Sequence, residues 1–288
     1  MKKKKPYVIC HMTTSIDGKV TGSFLNSEQC IDATNEYYRI NREHSANAFA
    51  CGRVTMEESF TKGWYPDLSE FKGIQVEKED YVANQDAQRY AVAFDRKGRL
   101  GWASSCIEDE DPGYGGAHII EVLTKEATEE YLAYLKKIGV SYLFAGDTEI
   151  DLETALEKLY SIFSIDTLLL EGGSIINGAF ERADLIDELC LVQAPVIADA
   201  SSKPLFDNSV LSEYVLTDAE VISKQVLVLR YIKKSRAKRS IKLSLLMEAI
   251  DMVSDNETIF YDLKKQENVY LSDGTWCEFD EELADLID

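Results

Sequence analysis

Glu171-Gly172-Gly173-Ser174 follows the apolar run Leu168-Leu169-Leu170 and precedes a helical pattern running through Ala179 and Phe180. A carboxylate, two glycines and a hydroxyl in that order suit a turn that receives a phosphate. Glycine permits positive φ and close backbone approach. Ser174 is expected to cap a helix whose free N–H groups and dipole favour an anion. The plain alternative is an ordinary strand-to-helix connection. A second polar group stands near the N-terminus, where Tyr7-Val8-Ile9-Cys10 leads into Ser15-Ile16-Asp17-Gly18-Lys19. Asp17-Gly18 is also a good turn dipeptide, so a structural role competes with a chemical one there.

These turns need strands to position them, and the chain supplies an alternating pattern. Helices are expected over Glu28 to Glu43, Thr55 to Phe60, Glu126 to Lys137 and Leu152 to Tyr160. Strands are expected at Ala48-Phe49-Ala50-Cys51, Tyr90 to Phe94, Ile119 to Leu123, Tyr142 to Phe144, Thr167 to Leu170 and within Ala183 to Val192. Val215 to Val221 and Val226 to Tyr231 read as a closing antiparallel pair. Strands alternating with helices, then a hairpin, predict an α/β fold with a mostly parallel sheet covered on both faces. Ligands of such sheets bind beyond the carboxyl ends of the strands. Asp17, Thr55 and Glu171 all follow strands, so one cleft is expected to collect them. Residues 65–87 are polar and irregular, and Trp64-Tyr65-Pro66 is expected to form a lid over the site, with a core plug as the alternative.

Five elements in register resemble the reductase domain of riboflavin biosynthesis, a branch of the dihydrofolate-reductase-like superfamily, over residues 6 to about 233. They are Ser15 to Lys19, Arg42 closing the first helix, Gly52-Arg53-Val54-Thr55, Glu171 to Gly173, and Asp187-Glu188 with Pro195. The resemblance implies NADPH-dependent reduction of a ribosylamino-pyrimidine whose ring-opened imine becomes a ribityl chain. It implies Asp17 and Glu171 as catalytic groups holding polar atoms of substrate or nicotinamide. It places Gly172, Gly173 and Ser174 on the pyrophosphate, with Gly52 and Thr55 on the other side of the cofactor. Ser15 joins Lys19 or Arg42 at the substrate, with Lys19 or Arg42 on its phosphate, although Arg42 could equally oppose a helix dipole. Arg96 or Arg99 is assigned to the cofactor's 2′-phosphate. A homodimer is implied, consistent with edge strands that need cover.

Gly52 to Glu57 followed by Trp64 is also similar to a branch of small stand-alone reductases acting on pterin-like or other pyrimidine-like substrates. A reductase-like fold kept as a nucleotide-binding module without turnover is a third reading. The zinc-deaminase signature, His-x-Glu with Pro-Cys-x-x-Cys, is absent from this sequence.

Composition narrows the classes further. The 288 residues carry 45% hydrophobic side chains and a net charge of −20, which argues against nucleic acid as a partner because phosphate-backbone binding relies on Lys and Arg clusters. Six cysteines stand far apart with no Cys-x-x-Cys pair, and His11, His44 and His118 lack ligand spacing, so no metal site is expected. The four lysines after Met1 precede too short an apolar stretch for a signal peptide, and no run approaches the ~20 residues that span a bilayer. A cytoplasmic protein acting on a small molecule is expected.

Charge also marks a division. Ser240 to Asp288 holds 13 acids and 3 lysines, beyond the basic run Lys233 to Arg239. We expect a reductase domain over residues 1–235 and a small acidic α+β module over 240–288. That module resembles a small family of uncharacterised acidic proteins pairing a helix with a β-hairpin. A helix is expected from Ile241 to Met252, a hairpin around Lys264 to Glu267, and a short helix from Glu281 to Ile287.

Overall fold

A computed structural model describes residues 4–223 and 225–237, together with the backbone of 259–262 and 267–270. The chain divides into two compact units, Met1–Lys233 and Lys234–Asp288. In the second, β10 (Ile259–Asp262) pairs antiparallel with β11 (Glu267–Tyr270), with Ile259 opposite Tyr270. The helices expected over 241–252 and 281–287 lie outside the described residues, as does the centre of the expected turn.

The first unit is built on a nine-stranded sheet in the order β5-β4-β3-β2-β6-β1-β7-β9-β8. Its strands are β1 (Tyr7–Thr14), β2 (Ala48–Gly52), β3 (Tyr90–Phe94), β4 (His118–Leu123), β5 (Ser141–Phe144), β6 (Thr167–Leu170), β7 (Glu188–Gln193), β8 (Tyr214–Ile222) and β9 (Val226–Lys233). Strands β1 to β7 run parallel and the β8–β9 hairpin closes the sheet antiparallel to β7. The parallel strands are nearly continuous apolar runs because both faces are covered. One face packs against α1 (Ile31–Glu43) and α3 (Glu129–Ile138), through Ala33, Ile40, Leu132 and Leu135. The other packs against α4 (Leu152–Phe163) and α5 (Ser174–Arg182), through Leu156, Leu159, Phe163 and Phe180.

The chain travels outward from β2 to β5 and then returns to insert β6 between β2 and β1. That reversal opens a crevice beyond the carboxyl ends of the three central strands, where α/β sheets bind ligands. The connection from β3 to β4 has no helix; Leu100, Trp102, Ile107 and Tyr114 carry it across the α1 face as buried anchors.

Local chemistry shifted several expected ends. The helix expected from Glu126 starts at Glu129, because Thr128 is its N-cap and accepts a hydrogen bond from Tyr131 N–H. The helix expected to stop at Tyr160 continues to Phe163, whose ring is buried, and ends at Ser164 in the left-handed region. The short helix after β2 starts earlier than expected, as α2 (Arg53–Met56), and passes into a π-helical turn over Glu57–Thr61.

The two sheet edges differ. At β5, Tyr81 and Tyr142 exchange backbone hydrogen bonds of 2.9 Å and Asp80 Oδ1 accepts from Phe144 N–H at 2.8 Å, so residues 80–83 strap that edge. At β8, Leu216 and Val221 are 50% and 63% exposed on a nine-residue outer strand.

Candidate active site

Strands β2 and β6 are neighbours, so the turns that follow them meet. Gly52 N–H donates to Gly172 C=O at 2.8 Å. A Cβ on Gly173 would stand 3.2 Å from Thr55 Oγ1, and one on Gly172 would stand 3.1 Å from Met12 Cε. Gly172 has φ +92°, which a side chain rarely tolerates. These contacts make a narrow cradle of Gly52, Thr55, Gly172, Gly173 and Ser174, with the first turn of α2 on one side and that of α5 on the other.

Ser174 departs from its expected position. Gly173 is the N-cap of α5 and makes no side-chain cap bond, whereas Ser174 is the first helical residue. The physical reason is that Gly173, in an extended conformation, already makes the bend, and its C=O accepts the Asn177 N–H at 3.1 Å. The Ser174 hydroxyl is left 3% exposed without a hydrogen-bond partner. A buried unpaired hydroxyl costs about 1–3 kcal/mol, so its presence at a helix N-terminus fits a ligand oxygen. Apolar Val54 and Ile175, 45% and 62% exposed, occupy the first turns of the same two helices and give the cradle a greasy rim.

Glu171 sits at the base of this turn with its side chain on the α1 face. Only 6% exposed, its carboxylate accepts Asn41 Nδ2–H at 2.7 Å and the Tyr114 hydroxyl at 3.0 Å. Burial pushes it up to about 7, against the opposing pull of those donors. Asn41, Tyr114 and Tyr37 were not singled out in the sequence, because nothing local to them marks a site. Their relevance arises from α1 and the β3–β4 crossover packing over β6.

Asp17 is arranged very differently. It is exposed, and its carboxylate accepts the Ser15 hydroxyl at 2.7 Å and Ala198 N–H at 3.0 Å. Those bonds, the serine's first, hold its carboxyl below the usual range. Ser15 Oγ also accepts Lys19 N–H at 2.9 Å, and Lys19 bridges to Pro204. Ser15 to Lys19 therefore form a self-braced turn after β1, on the other side of β6 from Gly52.

The remaining basic residues fall elsewhere. Arg42, next to Asn41 near the C-terminus of α1, donates to Asp111 at 2.6 Å. Arg96, at the end of β3, is ion-paired with Glu149 and Glu126. Arg53, directly after Gly52, pairs with Glu57 and is the base nearest the cradle in sequence. Trp64 and Tyr65, 51% and 44% exposed, are tethered on one side. Tyr65 donates to Gly98 C=O at 3.2 Å and stacks on Tyr131 at 6.2 Å, and Gly101 lies so close to the Trp64 backbone that a Cβ would meet it at 2.0 Å. That segment packs onto the β3–β4 crossover.

No cluster of His, Cys, Asp and Glu among the described residues could hold a metal ion. No helix among them is long and apolar enough to cross a membrane.

A parallel sheet with β6 inserted between β2 and β1, closed by a C-terminal hairpin, is a dihydrofolate-reductase-like α/β fold. The chain belongs to the RibD C-terminal domain family, whose profile matches residues 6–228. It is 26% identical over 211 residues to the 2,5-diamino-6-ribosylamino-4(3H)-pyrimidinone 5′-phosphate reductase of Methanothermobacter thermautotrophicus, covering 73% of this chain and 87% of that protein. The enzyme of the same description from Aquifex aeolicus is 34% identical over 88 residues, which span 31% of this chain and 39% of that protein. Among solved structures, a pyrimidine reductase-like protein of Corynebacterium diphtheriae matches with TM-score 0.57 and 18% identity, covering 79% of this chain and 92% of the other. That likeness concerns the fold.

Proposed function

We propose that this chain is an NADPH-dependent reductase of riboflavin biosynthesis that reduces the ring-opened imine of a ribosylamino-pyrimidine phosphate, a reading supported by its likeness to 2,5-diamino-6-ribosylamino-4(3H)-pyrimidinone 5′-phosphate reductases. The observation that carries the reading is the cradle: two glycines whose Cβ positions would crowd Met12 and Thr55, the first at φ +92°, facing Gly52 and Thr55 beside a buried Ser174 hydroxyl that lacks a partner. These residues fit a pyrophosphate, whose oxygens accept from the hydroxyl and from the first N–H groups of α5.

NADPH, when bound, supplies the hydride. The protein's own work is to hold the reacting atoms in register, exclude water and move one proton. Reduction of a carbon–nitrogen double bond places hydride on carbon and a proton on nitrogen. Glu171 is the group suited to give that proton, because a carboxyl near 7 is partly protonated at neutral pH. Asp17, held ionised, orients hydroxyl or amino groups of the substrate through its remaining lone pairs. Lys19 neutralises the substrate phosphate, and Arg53 or Arg96 serves the cofactor's 2′-phosphate once its carboxylate partner is exchanged. We further propose that the exposed β8 edge is covered by a second copy, that residues 240–288 form an appended module without a catalytic part, and that the protein works in the cytoplasm.

Calorimetric titration with NADPH and NADH tests the cofactor. Tighter binding of NADPH is expected, and equal or absent binding of both overturns it. NADPH oxidation with the ribosylamino-pyrimidine phosphate, against pterins, then tests the substrate.

A further inference from the structure

We propose that Asn41, Tyr114 and Tyr37 are positioning residues that fix the Glu171 carboxyl group in one orientation and serve it in both of its protonation states. An ionised carboxylate only accepts hydrogen bonds, whereas a carboxylic acid must also donate one. The ionised form is served directly: Asn41 Nδ2–H reaches Oε1 at 2.7 Å and the Tyr114 hydroxyl reaches Oε2 at 3.0 Å. The acid form needs a nearby acceptor. The Tyr114 hydroxyl beside Oε2 can accept by turning its proton away, and Asn41 Oδ1, buried and without a partner, can accept at Oε1 when the amide turns over.

A leucine at position 41 would fill a similar volume on a helix face that also buries Ala33 and Ile40. An amide with one orphaned oxygen costs about 1–3 kcal/mol there. Its presence beside the carboxylate of the cradle's turn points to a task that packing does not require.

The groups around Glu171 are consistent with that task. From α1, the Tyr37 hydroxyl lies 3.4 Å from that of Tyr114. From β1, His11 stacks on the Tyr37 ring at 4.3 Å, and its Nε2 lies 3.0 Å from Tyr37 C=O, fixing the tyrosine behind the carboxyl. Burial pushes His11 down to about 4, so it adds no charge near neutrality. Cys51 on β2, Tyr38 on α1 and Tyr114 on the crossover are all held neutral, chiefly by burial. Arg89, before β3, favours the ionised form. His11, Cys51, Tyr38 and Tyr114 therefore stay neutral while Glu171 exchanges its proton near neutral pH.

The test reads Glu171 directly by isotope-edited infrared spectroscopy, with Glu171→Gln assigning its carboxyl band. The parent band should titrate near 7. Asn41→Leu and Tyr114→Phe should each raise the midpoint by roughly one unit, a tenfold gain in proton affinity, because the charge-assisted bond each gives the ionised form is stronger than the neutral bond it gives the acid. Tyr114→Phe keeps the ring against Phe49 and Phe60, so it preserves the packing if Asn41→Leu does not fold. A purely structural role would lower the thermal midpoint and leave the titration where it was. An unmoved titration in folded Tyr114→Phe, or a parent midpoint near an ordinary 4.5, overturns the proposal. The inference rests on the reading of Glu171 as proton donor for its catalytic meaning. If the infrared midpoints move while the pH profile of kcat does not, the clamp stands and the donor reading falls.

Discussion

The turns after β1 and β6 flank the same crevice, yet they treat their polar groups in opposite ways. In Ser15 to Lys19, Asp17 is already satisfied by the Ser15 hydroxyl and Ala198 N–H, and Ser15 receives Lys19 N–H in turn. In Glu171 to Ser174, the carboxyl is buried in a cage and the Ser174 hydroxyl has no partner. A self-satisfied turn is stable without a ligand. An unsatisfied one gains most from a ligand that supplies the missing oxygen. Under the function proposed above, cofactor affinity belongs to the β6 turn and substrate orientation to the β1 turn.

The largest expected effect comes from Gly173→Asp. Its side chain would start 3.2 Å from Thr55 Oγ1 and place a negative charge beside the phosphates. NADPH affinity should fall by about a hundredfold or more in calorimetric titration, equivalent to roughly 3 kcal/mol. Retained affinity would erase the distinction between the turns.

Glu171→Gln keeps the shape of the carboxyl and removes its proton exchange. We expect kcat to fall by about 10²–10³-fold, with NADPH affinity changed less than about threefold. The same variant changes stability against pH. Glu171 has its folded pKa raised from 4.5 to about 7, so its contribution is full below 4.5 and is lost as pH rises through 7. His11, lowered from 6.5 to about 4, has the opposite sense and loses its contribution as pH falls through that window. Denaturant unfolding at several pH values should therefore show stability declining less steeply between 4.5 and 7 in Glu171→Gln than in the parent. An unchanged slope would mean that Glu171 is ionised throughout.

Asp17→Asn should be the mildest. The amide oxygen still accepts from Ser15 and Ala198, so NADPH affinity and thermal midpoint should stay near the parent values while KM for substrate rises. Equal losses of NADPH affinity in Asp17→Asn and Gly173→Asp would merge the two turns into one function.

Much of this was legible in the sequence where backbone and apolar pattern decide the outcome. Tyr90–Phe94 and Thr167–Leu170 form strands as expected because buried parallel strands are uninterrupted apolar runs. Gly172 and Gly173 were legible because a tight strand-to-helix turn with positive φ calls for glycine. Ser174 was misplaced by one position, since Gly173 supplies the bend and displaces serine from the cap into the first turn. The Glu171 cage was invisible: Asn41 lies 130 positions and Tyr114 57 positions from it in the chain, and only tertiary packing joins them. The tethering of Trp64 and Tyr65 was hidden for a similar reason, since the glycines at 98 and 101 that receive them carry no local sign of what packs on them.

Backbone amide shifts during an NADPH titration of the isotope-labelled full chain test the central claim most directly. The account predicts the largest shifts at Gly52 to Thr55 and Gly172 to Ile176, with Ser15 to Lys19 nearly unmoved until substrate is added. Shifts concentrated at Ser15 to Lys19, with the Gly172–Ser174 amides unmoved, would contradict it.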